Sequence, residues 1–306
     1  WRMASSSSED SAPERVFATL QQADPHGERI GRVIRHSFDL LYNGQHTGRY
    51  SPSQLYKTEK THCGSIVEIE LRRALGGVIS DGKRLDYSIA GHEVDCKFSF
   101  KHGGWMLPPE CFGELLLVIT ADDESSRWSA GIVRASREHR RDSENRDHKT
   151  GLNPLGRSSI RWLAYDAELP PNILLQMSDQ DRQAIFGARS GQQRLNELFR
   201  RAELVVIGRN AVATVAQQLD YMKRARSNGG SRSALRPEGY LIACGDYASH
   251  RQVALDLGAP EITPGEFVSM RVVPCAPGTP NSVELEGRYW RIAKRAERVT
   301  EPAPLL

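Results

Sequence analysis

Two aspartates and a lysine, Asp86, Asp95 and Lys97, stand at the spacing D-x8-D-x-K within the stretch LDYSIAGHEVDCKFSFK. A β-strand over residues 94–100 sends Val94, Cys96, Phe98 and Phe100 to one face and Asp95, Lys97 and Ser99 to the other. A turn at Ala90-Gly91 makes the stretch a hairpin and returns the Asp86 carboxylate to the side of Asp95. Like-charged carboxylates repel unless something neutralises them. A hard divalent cation with oxygen ligands does so, while the lysine can face a phosphate or a water. This is the donor set a metal-dependent phosphodiesterase needs. An ordinary amphipathic hairpin with a solvated charged face has the same pattern, and spacing alone does not separate the two.

The flanking elements are those that would position such a site. Apolar positions at Ile30, Val33, Ile34, Phe38, Leu41 and Tyr42 predict a scaffold helix stopped at Asn43-Gly44. The following stretch NGQHTGRYSPSQLYKTEKTH reads as a solvated loop. A second helix is predicted over 61–75, stopped by Gly76-Gly77. It carries Glu68 and Glu70, which point about 200° apart at 100° per residue, so one of them at most faces a site. Periodicity does not choose between them. Residues 112–120, with LLLVIT, predict a strand buried on both faces, and 127–135 its neighbour. Together these predict an α/β core, a mixed sheet flanked by helices, with the acidic hairpin at one end. Residues 137–156 read as a charged, exposed excursion.

The second half differs in charge. Between Arg200 and Arg236 stand eight bases (Arg200, Arg201, Arg209, Lys223, Arg224, Arg226, Arg232, Arg236) against two acids (Glu203, Asp220). Helical segments are predicted at 194–203, 210–218 and 219–226, followed by Ser-Asn-Gly-Gly and RSALRPEGYLIACG. Residues 267–273 and 283–292 alternate like closing strands. Small helices followed by strands suggest a helix-turn-helix with a β wing, which lays one helix in the major groove. Arginine there can be bidentate to guanine, and the flanking bases Arg209, Lys223, Arg224, Arg226, Arg232 and Arg236 can neutralise phosphates. A solvated basic face is the simpler alternative.

Length and composition set the outer bounds. The 306 residues suffice for about two domains. Residues 1–12 are Ser-rich and acidic and are expected to be a disordered tail. The double proline of DAELPP marks a linker over 166–172, giving domains at 13–165 and 173–306. Five cysteines (Cys63, Cys96, Cys111, Cys244, Cys275) lie far apart with no CxxC pair, which argues against a disulfide framework or a zinc ribbon and for a reducing cytoplasm. No apolar run approaches the roughly 18 residues that span a bilayer, so no membrane is expected. The net charge of +3 is too small to identify a nucleic-acid binder by itself; its location matters more.

Several local patterns, spread over both halves, carry a resemblance: YNGQHTGRY, KTEKTHCGSIVEIEL, AGHEVDCKFS, GGWMLPPE, NELFRR, VATVAQQLDYMKRAR and RSALRPEG. In these the chain, from about Glu14 to Trp290, resembles the NaeI group of type IIE restriction endonucleases. The resemblance implies a homodimer with a restriction-endonuclease D…(D/E)xK core, followed by a winged-helix, catabolite-activator-like DNA-binding domain. It places the helix glutamate on Glu68, through Val67-Glu68-Ile69, and leaves Glu70 a spectator. Asp86, Asp95 and Lys97 fall on the remaining catalytic positions. Leu85, not proline, precedes the first aspartate, a departure from the wider superfamily.

That resemblance implies Mg²⁺ held by Asp86, Asp95 and the backbone carbonyl of Cys96, with Glu68 assisting, and Lys97 acting on the attacking water. It implies double-strand cleavage of a GC-rich palindrome, GCCGGC by expectation, with a second DNA copy as allosteric effector. A repair or recombination nuclease on the same core would keep the four residues. A strand-passage enzyme would need a nucleophile such as a tyrosine, and no tyrosine is marked out by its neighbours. A non-catalytic winged-helix regulator would need the second half alone.

Overall fold

The computed structural model describes residues 10–226 and 229–306. By contacts the chain divides into two compact units, one made of residues through Leu41 with Ser51–Pro171, the other of Tyr42–Tyr50 with Asn172–Leu306. Most of the tail expected at 1–12 lies outside the described residues. Helix is already under way at Ala12, where α1 (Ala12–Ala23) begins.

Three further helices precede the first sheet: α2 (Glu28–Tyr42), α3 (Gly44–Thr47) and α4 (Lys57–Ala74). Two of them start earlier than their apolar stripes suggest, because polar caps, not core residues, fix the first turn. The Asp24 carboxylate accepts from the Arg29 and Ile30 amides at 3.1 and 2.9 Å. The Glu59 carboxylate reaches back to the Tyr56 amide at 2.8 Å.

The first unit is built on a six-stranded sheet in sequential order: β1 (Ile79–Asp81), β2 (Tyr87–Ile89), β3 (His92–Ser99), β4 (Leu115–Asp122), β5 (Arg127–Arg134) and β6 (Arg161–Glu168). Only β3 and β4 pair in parallel, with Asp95 opposite Leu116 and Lys97 opposite Val118. A parallel pair needs a crossover, and here residues 100–114 make it without a long helix. Trp105, Leu107 and Cys111 of that crossover are buried in a core with Leu116, Val118 and Val133, and the Trp105 indole donates to the Ile119 carbonyl at 2.8 Å. Burying side chains of this size contributes about 1.5–3 kcal/mol each, enough to hold an irregular segment in one place. A short helix, α5 (Pro154–Ser158), precedes β6.

Two expectations change here. The excursion at 137–156 is tied down, with bridges pairing Leu107 to Thr150 and Arg140 to Leu152. The first residues of the expected linker at 166–172, Asp166–Glu168, are instead the end of β6, where Trp128 lies opposite Ala167.

The second unit contains α6 (Ile173–Gln176), α7 (Asp179–Phe186), α8 (Gly191–Arg201), β7 (Ile207–Gly208), α9 (Arg209–Ala216), α10 (Tyr221–Ala225), α11 (Ser231–Leu235), β8 (Tyr240–Cys244), α12 (Ala248–Asp256), β9 (Glu266–Cys275), β10 (Ser282–Leu285) and β11 (Arg288–Ile292). Strand β9 is central, pairing antiparallel with β7, β8 and β11. Period-two alternation gives it two cores. Ile242, Cys244 and Phe267 face the helical side with Leu195, Leu198 and Phe199, whereas Leu241, Ala243, Val268 and Met270 face Val253 and Leu257.

Tyr42–Tyr50 belongs to this second unit, not to a solvated loop. Gly44 lies so close to α9 that a Cβ on it would stand 2.0 Å from Thr214 Oγ1. The Gln45 amide donates to the Gln218 carbonyl at 3.3 Å, and the Tyr50 ring stacks on Phe186 at 5.2 Å.

Candidate active site

The hairpin forms where the spacing placed it. Ala90 and Gly91 both have positive φ, 50° and 79°, the two-residue turn whose twist matches antiparallel strands. Tyr87 lies opposite Val94, and the same register continued by one residue sets Asp86 against Asp95. The Asp86 carboxylate accepts a hydrogen bond from the Cys96 amide at 2.8 Å.

Asp95 is not on a solvated face; it is 5% exposed. Its carboxylate is paired with the Lys97 ammonium and accepts from the Cys111 thiol at 3.0 Å. The crossover therefore covers the polar side of β3 at this point, and Val94, Asp95 and Cys96 are all buried.

Glu68 approaches from α4. Cys63, Val67 and Leu71 are buried at a spacing of four, which seats the helix against β3 and leaves Glu68 half-buried on its flank. Glu70 points elsewhere, to Arg73 at 2.6 Å and His36 at 4.0 Å. The Tyr87 hydroxyl donates to the Glu68 backbone carbonyl at 2.7 Å. Glu68, Asp86 and Tyr87, with Arg72, Arg73 and Asp81, line a cleft of about 630 Å³.

The electrostatics report proximity. Burial raises the Glu68 carboxyl above its ordinary range, and the charges of Asp86 and Asp95 raise it further while Lys97 opposes them. Burial likewise raises Asp86, with Asp95 adding to the shift and the Cys96 amide countering it. For Lys97 burial acts downward, but the hydrogen bond and charge of Asp95 outweigh it and the ammonium is held more firmly than usual. Three carboxylates thus share one region with a single ammonium.

Among the described residues no three His, Cys, Asp or Glu side chains already stand as a cation cage. The donor chemistry nevertheless fits a hard divalent ion. Mutually repelling oxygen donors are what such an ion neutralises, and the Cys96 carbonyl lies between Asp95 and Lys97 on the same strand.

The six candidate DNA contacts of the second unit separate by geometry. Arg232 donates to the Ile242 carbonyl at 3.2 Å, and Arg236 to the Ala303 carbonyl at 2.7 Å; both guanidinium groups make bonds within the unit. Arg209 and Arg226 both approach Asp246, at 3.5 and 3.8 Å. Arg224 pairs with Asp220 at 3.3 Å, and Lys223 is exposed.

Sequence reasoning did not single out Tyr87 or Cys111. Tyr87 follows Asp86 directly and alternates inward, which was a usable signal. Cys111 comes from a crossover whose path no local pattern reveals.

Two comparisons bear on these residues. The family model described as restriction endonuclease NaeI matches residues 14–301. The chain is also 46% identical over 301 residues to the type II restriction enzyme NaeI of Lentzea aerocolonigenes, covering 96% of this chain and 93% of that protein.

Proposed function

The chain belongs to the NaeI family of restriction endonucleases, and from that premise we propose that it is a Mg²⁺-dependent type IIE enzyme that makes double-strand breaks in a GC-rich palindrome, GCCGGC by expectation. As a member of that family it is a site-specific deoxyribonuclease. The observation that carries the catalytic assignment is the hydrogen bond from the Cys96 amide to Asp86, which draws the first aspartate to the Asp95-Cys96-Lys97 strand.

Glu68, Asp86, Asp95 and the Cys96 carbonyl would hold the ion. Magnesium, when bound, supplies Lewis acidity, offsetting charge on the phosphate and lowering the pKa of water. Lys97, fixed by its pairing with Asp95, would orient the attacking water and offset charge as its oxygen bonds to phosphorus and one ester bond breaks. Burial of Asp95 keeps bulk water from loosening that pair.

The first unit would be the restriction-endonuclease core. In the second, α9 to α11 with β8 and β9 would serve as a winged helix. Arg209, Lys223, Arg224 and Arg226 are the candidates whose charge remains turned to the surface: Lys223 is exposed, and the side chains of Arg209, Arg224 and Arg226 are 52%, 42% and 43% exposed. A homodimer would set two such sites on the two strands of a palindrome, since two-fold protein symmetry matches two-fold DNA symmetry. Incubating the protein with plasmid DNA and Mg²⁺ and sequencing the ends tests the reading. Defined ends at one palindrome are expected; random ends point to a structure-specific nuclease, and intact plasmid removes the reading.

A further inference from the structure

Tyr87 is enclosed, at 1% exposure, and its hydroxyl is bonded to an acceptor that does not need it. The Glu68 carbonyl lies in the interior of α4, where each carbonyl accepts from the amide four residues on. The phenol is therefore not there to satisfy the helix. What the bond does is join the two elements that carry opposite sides of the site.

Asp86 stands immediately before β2 and Tyr87 opens it, and adjacent residues of extended chain point to opposite sides. Asp86 uses its side chain to take the Cys96 amide of β3, and Tyr87 uses its own to take the backbone of α4. One dipeptide thus fixes both walls. Without the hydroxyl, α4 would be held to β3 by the packing of Cys63, Val67 and Leu71, and apolar contact is non-directional. Repulsion among the carboxylates would then favour displacement of Glu68 away from Asp86 and Asp95.

We infer that Tyr87 is a positioning residue that holds Glu68 at a fixed distance from Asp86 and Asp95, an inference that rests on the nuclease reading above. It acts through the backbone of Glu68, not on substrate. Tyr87→Phe keeps the ring and removes the hydroxyl, which separates its hydrogen bonding, to the Glu68 carbonyl and with the Cys96 thiol, from the packing; Cys96→Ala removes the thiol contact alone.

The experiment measures DNA cleavage, calorimetric binding of Ca²⁺ and thermal unfolding for the full chain, Tyr87→Phe, Glu68→Gln and the double variant. In Tyr87→Phe we expect kcat to fall and Ca²⁺ affinity to weaken by about 10- to 100-fold, as is usual when the partner of a metal ligand is lost. KM for DNA should stay within about twofold, because the bond makes no contact to DNA. The double variant should match Glu68→Gln alone, since Tyr87 acts through that residue. A purely structural role would instead multiply the two losses and lower the unfolding midpoint. Multiplicative losses overturn the inference, as does a Tyr87→Phe protein with unaltered kcat and Ca²⁺ affinity. If the wild-type chain binds Ca²⁺ but cleaves no DNA in Mg²⁺, the nuclease reading fails and the calorimetric comparison alone decides the role of Tyr87. If it cleaves DNA in Mg²⁺ but binds no Ca²⁺, the nuclease reading stands and the inference about Tyr87 is overturned.

Discussion

Asp86 and Cys96, ten residues apart in sequence, are joined by a 2.8 Å hydrogen bond from the Cys96 amide to the Asp86 carboxylate. This bond turns a hairpin into a site. Asp86 is drawn to the middle of the Asp95-Cys96-Lys97 run, and one of its lone-pair positions is used on the strand while the others stay available. An aspartate anchored in this way loses little further freedom when it takes up an ion.

Asp95→Ala or Lys97→Ala should lower cleavage by at least about 100-fold while leaving DNA binding measurable in Ca²⁺, because in the proposed mechanism Asp95 holds the ion and Lys97 offsets charge in the transition state. Glu68→Gln should approach the same loss. Glu70→Gln should not, since Glu70 is engaged with Arg73 at 2.6 Å. Single-turnover cleavage of a labelled duplex decides this, and loss of activity in Glu70→Gln with activity kept in Glu68→Gln would reverse the helix assignment.

What was legible in the sequence was whatever short-range geometry fixes. The period of two on 94–100, the Ala90-Gly91 turn and the buried run LLLVIT within 112–120 all follow from local sterics and apolar order, although the strand itself begins only at Leu115. The helix glutamate was not decided by periodicity, because Ile66, Val67, Ile69 and Leu71 surround both candidates; the family pattern pointed to Glu68. Residues placed by distant chain were out of reach. Cys111 meets Asp95 through a crossover, and Tyr42–Tyr50 joins a unit whose other residues begin at Asn172. Neither leaves a local periodic trace.

Divalent cation should raise the unfolding temperature, and more so at higher pH. Glu68 and Asp86 have folded carboxyls raised above their ordinary values, so in the absence of cation their contribution to stability is lost as pH rises from the unfolded value of about 4 through the raised folded values. An ion reverses that cost in the ionised state. Cation at about 100 times its dissociation constant stabilises by about 2.7 kcal/mol, worth roughly 5–10 °C in a unit of this size. Scanning calorimetry with and without Mg²⁺, from about pH 5 to about pH 8, should show a growing increment in the wild type and none in Asp95→Ala. An equal increment in both would detach the ion from these residues.

His250 is a separate source of acid sensitivity, in the second unit. It is 5% exposed, and its Nδ1 accepts from the Cys244 amide at 3.2 Å, so the ring is neutral as it stands. Burial first, and the charge of Arg232 second, push its pKa down to about 4. A depressed folded value means that the unfolded chain takes up the proton first. The stabilisation is complete above the unfolded value of about 6.5 and is lost as pH falls toward 4, at most roughly 3 kcal/mol. Urea unfolding across this window should show a steeper decline in wild type than in His250→Asn, which keeps an acceptor and removes the titration. Parallel declines would assign the acid sensitivity to other groups.

Excision of the second unit at Asn172 should give an impaired fragment. Such a fragment lacks Tyr42–Tyr50, whose Gly44 lies against Thr214 and whose Tyr50 ring stacks on Phe186. In the whole chain, Gly44→Ala should cost about 1–3 kcal/mol, the usual penalty for forcing a methyl group into filled space. The fragment should unfold at lower urea than the same unit in the full chain and should regain stability when residues 42–50 are fused to it. A fragment as stable as the parent unit would make the 42–50 segment a passive connection.

Activation in trans is the test that joins DNA binding to catalysis. If the second unit binds an effector copy of the recognition sequence, a plasmid with one site should be cut slowly, and a short duplex carrying that sequence should accelerate it to a plateau. The plateau follows because occupancy can shift the enzyme only as far as effector DNA prefers the active state, typically about 1–3 kcal/mol or roughly 5- to 150-fold. Neutralising Lys223, Arg224 and Arg226 together should remove the acceleration and leave the urea unfolding midpoint in place, because Lys223 is exposed and the ion pairs of Arg224 and Arg226 are at least two-fifths open to solvent on the arginine side, at 42% and 43%. Arg236→Ala should do the opposite, since its guanidinium holds the Ala303 carbonyl at 2.7 Å; it should cost about 1–3 kcal/mol in stability before it costs DNA affinity. Equal cutting of one-site and two-site plasmids, unresponsive to added duplex, would leave a restriction enzyme that needs no effector.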